Sequence, residues 1–356
     1  MAKYPFKNLV FQGGGVKTFA YHGALRVLEA HGILAQIERV AGTSAGATLA
    51  TVLSFRLPAE ETIRLLQSVD YAKIPLRSRF RPPQWARRTP WALEKRLDKL
   101  LGRVDSLNRM VRRYGWYAND YVHNWLCKVI AEQCAGNGRA TFEDFRSLGY
   151  RDLYIVAANL STHQVTVFCA DSTPDVAVAD AVVMSGTLPL FFEAVQFDGT
   201  RFGSGDFYAD GGLVANYPIH IFDQPQFEAD SRHFLHGINW ETLGCRLYTP
   251  ADCAPQNHAI TGLLSYVQNM FATLAHAQAV AFENSLVDKM RTINISDCCV
   301  NTTDFRVRPR KDDPKYTALV QAGENAAREY LQNYKLPTDR FYDVKAKFAE
   351  FLAQWR

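Results

Sequence analysis

The stretch IERVAGTSAGA, residues 37–47, joins a short apolar segment to a run of small residues with the hydroxyl of Ser44 at its centre. This pattern predicts a strand at 37–41, a sharp turn, and a helix that begins at residue 45. In a Gly-x-Ser-x-Gly elbow the glycines permit a tight strand-to-helix reversal, and the serine projects from its top. Gly42 and Gly46 occupy the glycine positions. Taken alone, these letters fit a small-residue loop nearly as well as a reactive serine.

A similar strand–turn–helix unit precedes this one. The buried strand predicted at 7–12 is followed by Gly13, Gly14 and Gly15, and then by apolar periodicity from residue 19 to residue 30. Two such units in succession predict parallel strands. Later segments alternate in the same way: helices at 58–69, 119–133, 175–186, 257–289 and 314–333, strands at 152–158 and 164–169 as a hairpin, and a strand at 291–296. The sequence therefore predicts one α/β domain with three αβα layers and a mostly parallel central sheet.

Composition restricts the class of protein. The chain has 356 residues, of which 47% are hydrophobic and 21% charged, an ordinary globular balance. We find no signal peptide and no apolar run long enough to span a bilayer. We therefore expect a cytoplasmic protein, and export by a route without a cleaved signal stays open. The seven cysteines lack paired C-x-x-C spacings, which argues against a disulfide framework and a structural zinc site.

Positive charge is concentrated between Arg77 and Arg113, where twelve Lys and Arg accompany three Asp and Glu. Trp85, Trp91 and Trp116 lie in or beside this block. Such a mixture fits a solvated face, a nucleic-acid patch or a surface that meets anionic lipid headgroups. No nucleic-acid-binding motif accompanies it, so we expect no nucleic-acid partner.

The glycine turn at residues 13–15 is a candidate anion site. Backbone N–H groups at the start of a helix attract phosphates and oxyanions. The dinucleotide fingerprint G-x-G-x-x-G fails here because Thr18 replaces its last glycine. If the turn lies beside Ser44, its amides can stabilise the oxyanion of an attacked ester. A tight turn without any ligand remains the alternative.

A reactive serine needs a base. The order Ser, acid, His of the α/β-hydrolases would make His220, His233, His236 or His258 a candidate, although none lies in a recognisable motif. A second candidate is Asp210 in the segment ADGG. A carboxylate in a partly desolvated cleft gains basicity and can accept the serine proton without an imidazole.

Three motifs together resemble the patatin-like phospholipase family: FQGGGVK at 11–17, GTSAG at 42–46 and ADGG at 209–212. The segments MSGTLPLFF at 184–192 and NTTDF at 301–305 are also similar to that family. The resemblance extends over roughly residues 7–333.

This resemblance implies a Ser/Asp dyad with Ser44 as nucleophile and Asp210 as base. It also implies an oxyanion hole formed by the backbone amides of Gly13, Gly14, Gly15 and Val16, with Lys17 in the motif's basic position. The family usually has glycine where this chain has Thr18. We expect its hydroxyl to cap the following helix, so that the loop persists.

The implied enzyme is a calcium-independent phospholipase A or lysophospholipase that needs no cofactor or metal. Its domain would span residues 5–335, with 77–116 as a lid or a membrane-contact insertion and 336–356 as a surface helix. Its partner would be membrane phospholipid, and a protein activator is an open possibility. The alternatives are an acyltransferase with the same acyl-enzyme and a membrane-binding effector module with a vestigial site.

Overall fold

The computed structural model of the protein describes residues 4–74, 113–253 and 259–337. Most of the basic segment predicted at 77–116 lies outside these ranges, as does nearly all of the surface helix predicted at 336–356. Both therefore stay predictions.

The strands are β1 Asn8–Phe11, β2 Arg39–Thr43, β3 Gly115–Tyr117, β4 Asp152–Asn159, β5 Gln164–Phe168, β6 Leu190–Phe192, β7 Val195–Phe197, β8 Asp206–Asp210, β9 Phe234–Leu235, β10 Ile238–Asn239, β11 Thr242–Tyr248 and β12 Thr292–Ser296. The α-helices are α1 Ala20–Ala30, α2 Ile33–Gln36, α3 Ala45–Ser54, α4 Ala59–Gln67, α5 Asp120–Gln133, α6 Phe142–Ser147, α7 Val178–Gly186, α8 Gly212–Ala215, α9 Leu263–Glu283, α10 Leu286–Met290 and α11 Pro314–Asn333. Short 3-10 helices occupy Gly15–Phe19, Tyr71–Lys73, Ile219–Phe222 and Pro225–Phe227.

The central sheet has the strand order β12-β11-β1-β2-β4-β8-β7, and β5 pairs with β4. Strands β12, β11, β1, β2 and β4 run parallel to one another, whereas β5 and β8 pair antiparallel with β4. The mixed α/β fold with a mostly parallel sheet is therefore confirmed, and so is the hairpin of β4 and β5. The helices join parallel strands because such strands need a crossover connection.

One edge of β4 brings two distant segments together. Strand β2 pairs with the first half of this edge, and its last residue, Thr43, lies opposite Val156. Strand β8 pairs with the second half in the opposite direction, and its last residue, Asp210, lies opposite Ala157. Because Val156 and Ala157 are neighbours, the carboxyl ends of β2 and β8 meet end to end.

Side chains alternate along the central strands and pack into two hydrophobic cores, one on each face of the sheet. Leu9 and Phe11 of β1 belong to the larger core, which α1, α3, α7 and α11 cover, whereas Val10 points to the opposite face. On that face Val10 packs in a smaller cluster with Tyr154 and Phe222. Burial on both faces explains why the central strands are largely apolar.

Two predictions need correction. The helix predicted at 257–289 begins at Leu263 and is interrupted at Asn284, because Ser285 caps a new helix by accepting a hydrogen bond from the amide of Asp288. The cysteine spacing also failed to indicate the disulfide between Cys253 and Cys299, whose Cα atoms are 5.5 Å apart. The two cysteines lie in loops that only the tertiary fold brings together.

Candidate active site

The turn at Ser44 has the geometry that the glycine pattern predicts. Ser44 adopts φ +55° and ψ −125°, a backbone conformation that a non-glycine residue rarely takes. A Cβ atom on Gly42 would lie 2.3 Å from the carbonyl oxygen of Gly46, and one on Gly46 would lie 2.6 Å from that of Phe11. Only glycine fits at either position, so the strand, the turn and α3 pack this closely without strain from a side chain.

The hydroxyl of Ser44 meets the carboxyl of Asp210. Ser44 Oγ donates a 2.7 Å hydrogen bond to Asp210 Oδ2, and the amide of Gly212 donates one of 2.7 Å to Asp210 Oδ1. Ser44 is partly exposed, whereas Asp210 is buried. The structure thus brings the two side chains together across 166 residues of sequence, in the arrangement that a nucleophile and its base require.

Burial changes the pKa of the Asp210 carboxyl. Desolvation raises its pKa to about 6, although the hydrogen bonds from Ser44 and Gly212 lower it in part. Near neutral pH the carboxyl is therefore mostly ionised and still basic enough to accept a proton. A general base works best with a pKa near the working pH.

Sequence analysis did not assign a role to two residues that hold this arrangement. Ser185, at the end of α7, accepts a 2.8 Å hydrogen bond from the amide of Ser44 and donates one of 2.6 Å to the carbonyl of Val156. Asn216 lies against the glycine loop, because its carbonyl accepts a 3.0 Å hydrogen bond from the amide of Gly13. The only sequence signal was their position in or just after segments similar to the family.

The glycine loop lies directly beside Ser44. A Cβ atom on Gly13 would be 3.1 Å from Ser44 Cβ and 2.5 Å from Asn216 Oδ1. Two of the four expected oxyanion donors are already engaged: the amide of Gly13 with Asn216, and that of Val16 with the carbonyl of Thr302 at 3.2 Å. In the described part of the chain, no group accepts a hydrogen bond from the amides of Gly14 or Gly15. The geometry therefore favours these two as available donors.

Thr18 and Lys17 stabilise the loop in ways that the sequence did not predict. The Thr18 hydroxyl donates a 2.7 Å hydrogen bond to the carbonyl of Gly15, so the expectation that it accepts an amide hydrogen as a helix cap was wrong. Lys17 Nζ lies 2.6 Å from Oδ2 of Asp297, a buried carboxylate that also accepts a hydrogen bond from Thr249. The Thr18 contact stabilises the loop internally, and the Lys17 contact holds it against the body of the protein.

The histidine candidates lie elsewhere. His220 contacts Asp223 and Asp288 at 3.1 Å and 3.2 Å, within an ion cluster around buried Arg291. His233 precedes β9, and His236 lies in the turn between β9 and β10. The fourth candidate, His258, is outside the described residues. Among the described residues, a carboxylate rather than an imidazole thus accepts the hydrogen bond of Ser44 Oγ.

A cavity of about 620 Å³ lies next to the site. Asn216, which touches the glycine loop, also lines this cavity. Most of the other lining side chains are apolar, among them Val156, Val167, Ile219 and Phe282. Its apolar lining is suited to a hydrocarbon group.

Comparison with known proteins supports the pattern of motifs. The family model described as patatin-like phospholipase matches residues 9–223. Among curated proteins, the uncharacterised YqhO of Bacillus subtilis is 31% identical over 221 residues, which are 60% of this chain and 66% of that protein. A probable lipid hydrolase, 463L of Invertebrate iridescent virus 6, is 24% identical over 217 residues, 61% of this chain and 63% of its own length. The matched part is less than two thirds of these relatives.

A solved structure shares the fold. VipD from Legionella pneumophila has a TM-score of 0.54 and 19% identity, and the match covers 93% of this chain and 67% of VipD. The family model covers β1 from Leu9 onward, the glycine loop, the Ser44 turn and Asp210. The chain therefore belongs to the patatin-like phospholipase family.

Proposed function

We propose that the protein is a lipid acyl hydrolase that cleaves fatty acyl esters of phospholipids or lysophospholipids through an acyl-enzyme at Ser44. The observation that carries this proposal is the 2.7 Å hydrogen bond between Ser44 Oγ and the buried carboxylate of Asp210. Family membership supplies the substrate class.

In the acylation step Asp210 accepts the proton of Ser44 as Oγ attacks the ester carbonyl carbon. The carbonyl oxygen becomes an oxyanion, to which the amides of Gly14 and Gly15 donate hydrogen bonds. Such donors typically lower the barrier by about 3 kcal/mol each. When the tetrahedral intermediate collapses, the bond to the alcohol breaks, and the leaving oxygen takes the proton from Asp210.

Water then attacks the acyl-enzyme, with Asp210 again accepting a proton. The ester bond to Ser44 Oγ breaks, Oγ recovers the proton, and a free fatty acid leaves. Neither step requires calcium in this scheme, because Asp210 provides the base and the glycine loop provides the oxyanion donors. Full activity in a calcium chelator is therefore part of the proposal.

The test uses a fluorophosphonate probe and lipid mass spectrometry on the full chain. We expect the probe to label Ser44, and the protein to release free fatty acid from phosphatidylcholine or lysophosphatidylcholine vesicles. Ser44→Ala should abolish labelling and lower ester hydrolysis by at least about 10⁴-fold, because the nucleophile is gone. Ser204→Ala, a change at an exposed serine outside the site, is the matched control.

Two results would contradict the proposal. The first is labelling that persists in Ser44→Ala, and the second is a wild-type protein that reacts with the probe but leaves the lipids intact. The products also separate the alternatives. Transfer of the acyl group to an added lysolipid, instead of release as free acid, would identify an acyltransferase. Absence of both labelling and turnover would indicate a vestigial site.

The basic segment 77–116 remains part of the proposal as a contact for anionic headgroups. Each Lys or Arg near an anionic surface contributes about 1 kcal/mol. Replacing Arg77, Arg79, Arg87 and Arg88 with Gln should weaken binding to anionic vesicles and leave hydrolysis of a soluble ester unchanged.

A further inference from the structure

Helix α9 is unusual in its composition. The sequence from Cys253 to Phe282 contains no Asp, Glu, Lys or Arg, and α9, Leu263–Glu283, forms most of this stretch. A surface helix of a globular protein normally presents charged residues on its outer side. The absence of charge here therefore calls for a physical reason.

The outer face of α9 is apolar and exposed. Tyr266, Met270 and Leu274, spaced four residues apart, are 54%, 46% and 40% exposed, and Val280 is 46% exposed. Residues four apart lie on one side of a helix, so Tyr266, Met270 and Leu274 form a continuous stripe, and Val280 adds exposed apolar surface further along the helix. A contiguous apolar surface of this kind marks a contact with a partner or a membrane.

The inner face of α9 joins it to the candidate active site. Gln278 Nε2 donates a 3.0 Å hydrogen bond to the carbonyl of Gly212, and Gln278 Oε1 accepts one of 2.8 Å from the amide of Asn216. Gly212 is also the residue whose amide binds Asp210. The helix packs on α8 and on β6 as well, so its position is coupled to the loop that carries Asp210.

The apolar cavity lies behind this helix. Ala275, Ala279 and Phe282 of α9 line the cavity of about 620 Å³ described above. The helix therefore separates a mostly apolar chamber from an apolar outer stripe, and up to Phe282 it contributes no charged residue to either side. Charged residues of the chamber lining such as Arg246 and Asp288 come from other elements. A protein partner would use the stripe alone, whereas an acyl chain that leaves a bilayer needs apolar surface both outside and inside.

We propose that the outer face of α9, formed by Tyr266, Met270, Leu274 and Val280, rests on the surface of a lipid bilayer and contacts its acyl region. This inference rests on the proposed function, because it places the lipid source beside Ser44. An amphipathic helix in the interfacial plane buries its apolar face below the headgroups, and tyrosine is well suited to that depth.

Binding through this face differs physically from binding through the basic segment. Because the stripe carries no charge, its contribution does not depend on anionic lipid and is not screened by salt. Contact through residues 77–116 would require anionic lipid and would weaken as salt rises. Neutral vesicles at high ionic strength therefore isolate the contribution of α9.

The experiment uses full-length chain with Ser44→Ala, so that hydrolysis does not alter the vesicles, and measures flotation with phosphatidylcholine vesicles at low and high salt. We expect binding at both salt concentrations. The added double substitution Met270→Gln with Leu274→Gln should weaken it at least tenfold, since burial of one such side chain already contributes about this factor. Glutamine retains good helix propensity, so the helix should persist.

The matched control is Leu148→Gln with Leu336→Gln. These leucines are 50% and 37% exposed and lie beyond the amino-terminal edge of the sheet, opposite Ser44. This control should bind as the parent does. Equal vesicle binding by the α9 variant and the parent, or no binding of the parent to neutral vesicles, would overturn the proposal. So would a change from dimer to monomer in the α9 variant with unaltered vesicle binding, because the stripe would then join two copies.

A second measurement needs no substitution in α9. Hydrogen exchange in residues 263–283 of the Ser44→Ala chain should slow when phosphatidylcholine vesicles are added, and unchanged exchange would contradict the proposal. Hydrolysis of a soluble ester by the Ser44 protein tests the proposed function separately. Membrane contact without any esterase activity would thus refute the proposed function but not the proposed contact of α9 with the bilayer.

Discussion

Two groups of buried acids in this protein have opposite chemistry. Asp210 has a hydroxyl and an amide as partners, and burial raises its pKa to about 6. The carboxyl side chains of Asp223 and Asp288 are also largely covered, at 8% and 6% exposed, but both contact Arg291 and His220. Although burial opposes it, the hydrogen bonds from these cations hold the pKa values of both carboxyls below their usual range.

The difference shows how one fold can hold one acid in a structural ion cluster and another as a candidate base. A buried carboxylate beside cations stays ionised and contributes to stability, since its charge is compensated. A buried carboxylate with only neutral hydrogen-bond donors is less stable in its ionised form, so its pKa is higher and it accepts a proton more readily. Among the residues that the structure describes, no cation bonds to Asp210, and this supports its proposed role as a base.

Among tests of this comparison between the two groups of acids, the largest effect should come from Asp210→Asn. Asparagine can still accept a hydrogen bond from the amide of Gly212 but cannot take the Ser44 proton, so we expect ester hydrolysis to fall by about 10³-fold.

The same substitution should change stability. The Asp210 carboxyl has a raised pKa in the folded protein, so above pH 6 its ionisation lowers the free energy of unfolding. The substitution should accordingly raise the free energy of unfolding at pH 7, by at most about 3 kcal/mol.

Steady-state kinetics on a soluble ester and denaturant unfolding at pH 7 measure the two quantities. Retained activity, or a large loss of stability, would show that Asp210 acts as an ordinary structural acid.

For Asp223→Ala we expect the reverse result, which is a loss of stability without a loss of activity. This change removes three hydrogen bonds to side-chain nitrogens of Arg291 and His220 and leaves Arg291, which is only 1% exposed, with Asp288 as its remaining acid. Breaking a buried ion pair in this way should lower the free energy of unfolding by about 3 kcal/mol. Denaturant unfolding checks this, and kcat of the folded fraction should stay unchanged. A drop in kcat without a loss of stability would contradict the assignment of this cluster as structural.

The smallest effect is a dependence on pH. Asp210 must be ionised to act as a base, so activity is present above its pKa and is lost as pH falls through about 6, roughly tenfold per pH unit below it. The fold should survive at pH 5, because Asp223 and Asp288 have lowered pKa values and stay ionised there. A pH profile of kcat/KM with circular dichroism at each point measures both. Activity that stays constant down to pH 4.5 would exclude Asp210 as the base.

Local patterns in the sequence predicted most of the fold because they reflect local physics. Glycine at 42 and 46 around Ser44 predicted a turn, and the structure shows contacts there that admit only glycine. Thr141 and Asp144 form a capping box at the start of α6, another arrangement that depends only on residues close in sequence. The break between α9 and α10 was missed, since the apolar periodicity continues through it and only the cap at Ser285 ends the run.

Less of the candidate site could be predicted. Motifs indicated Ser44, Asp210 and the four loop residues, but they could not show that the amides of Gly13 and Val16 are already bonded to Asn216 and Thr302. These partners lie 203 and 286 residues away in the chain. Such distant pairing leaves no local trace in a single sequence.

By itself the sequence determined most of the elements, the parallel strand units and the identity of the candidate reactive residues, because periodicity, glycine sterics and side-chain chemistry are local properties. Only the tertiary structure decided that β2 and β8 end at adjacent positions of β4, and that Asp210 is buried beside Ser44 without a cation. Register and desolvation depend on every layer of the fold at once, and these two properties convert an ordinary aspartate into a candidate base.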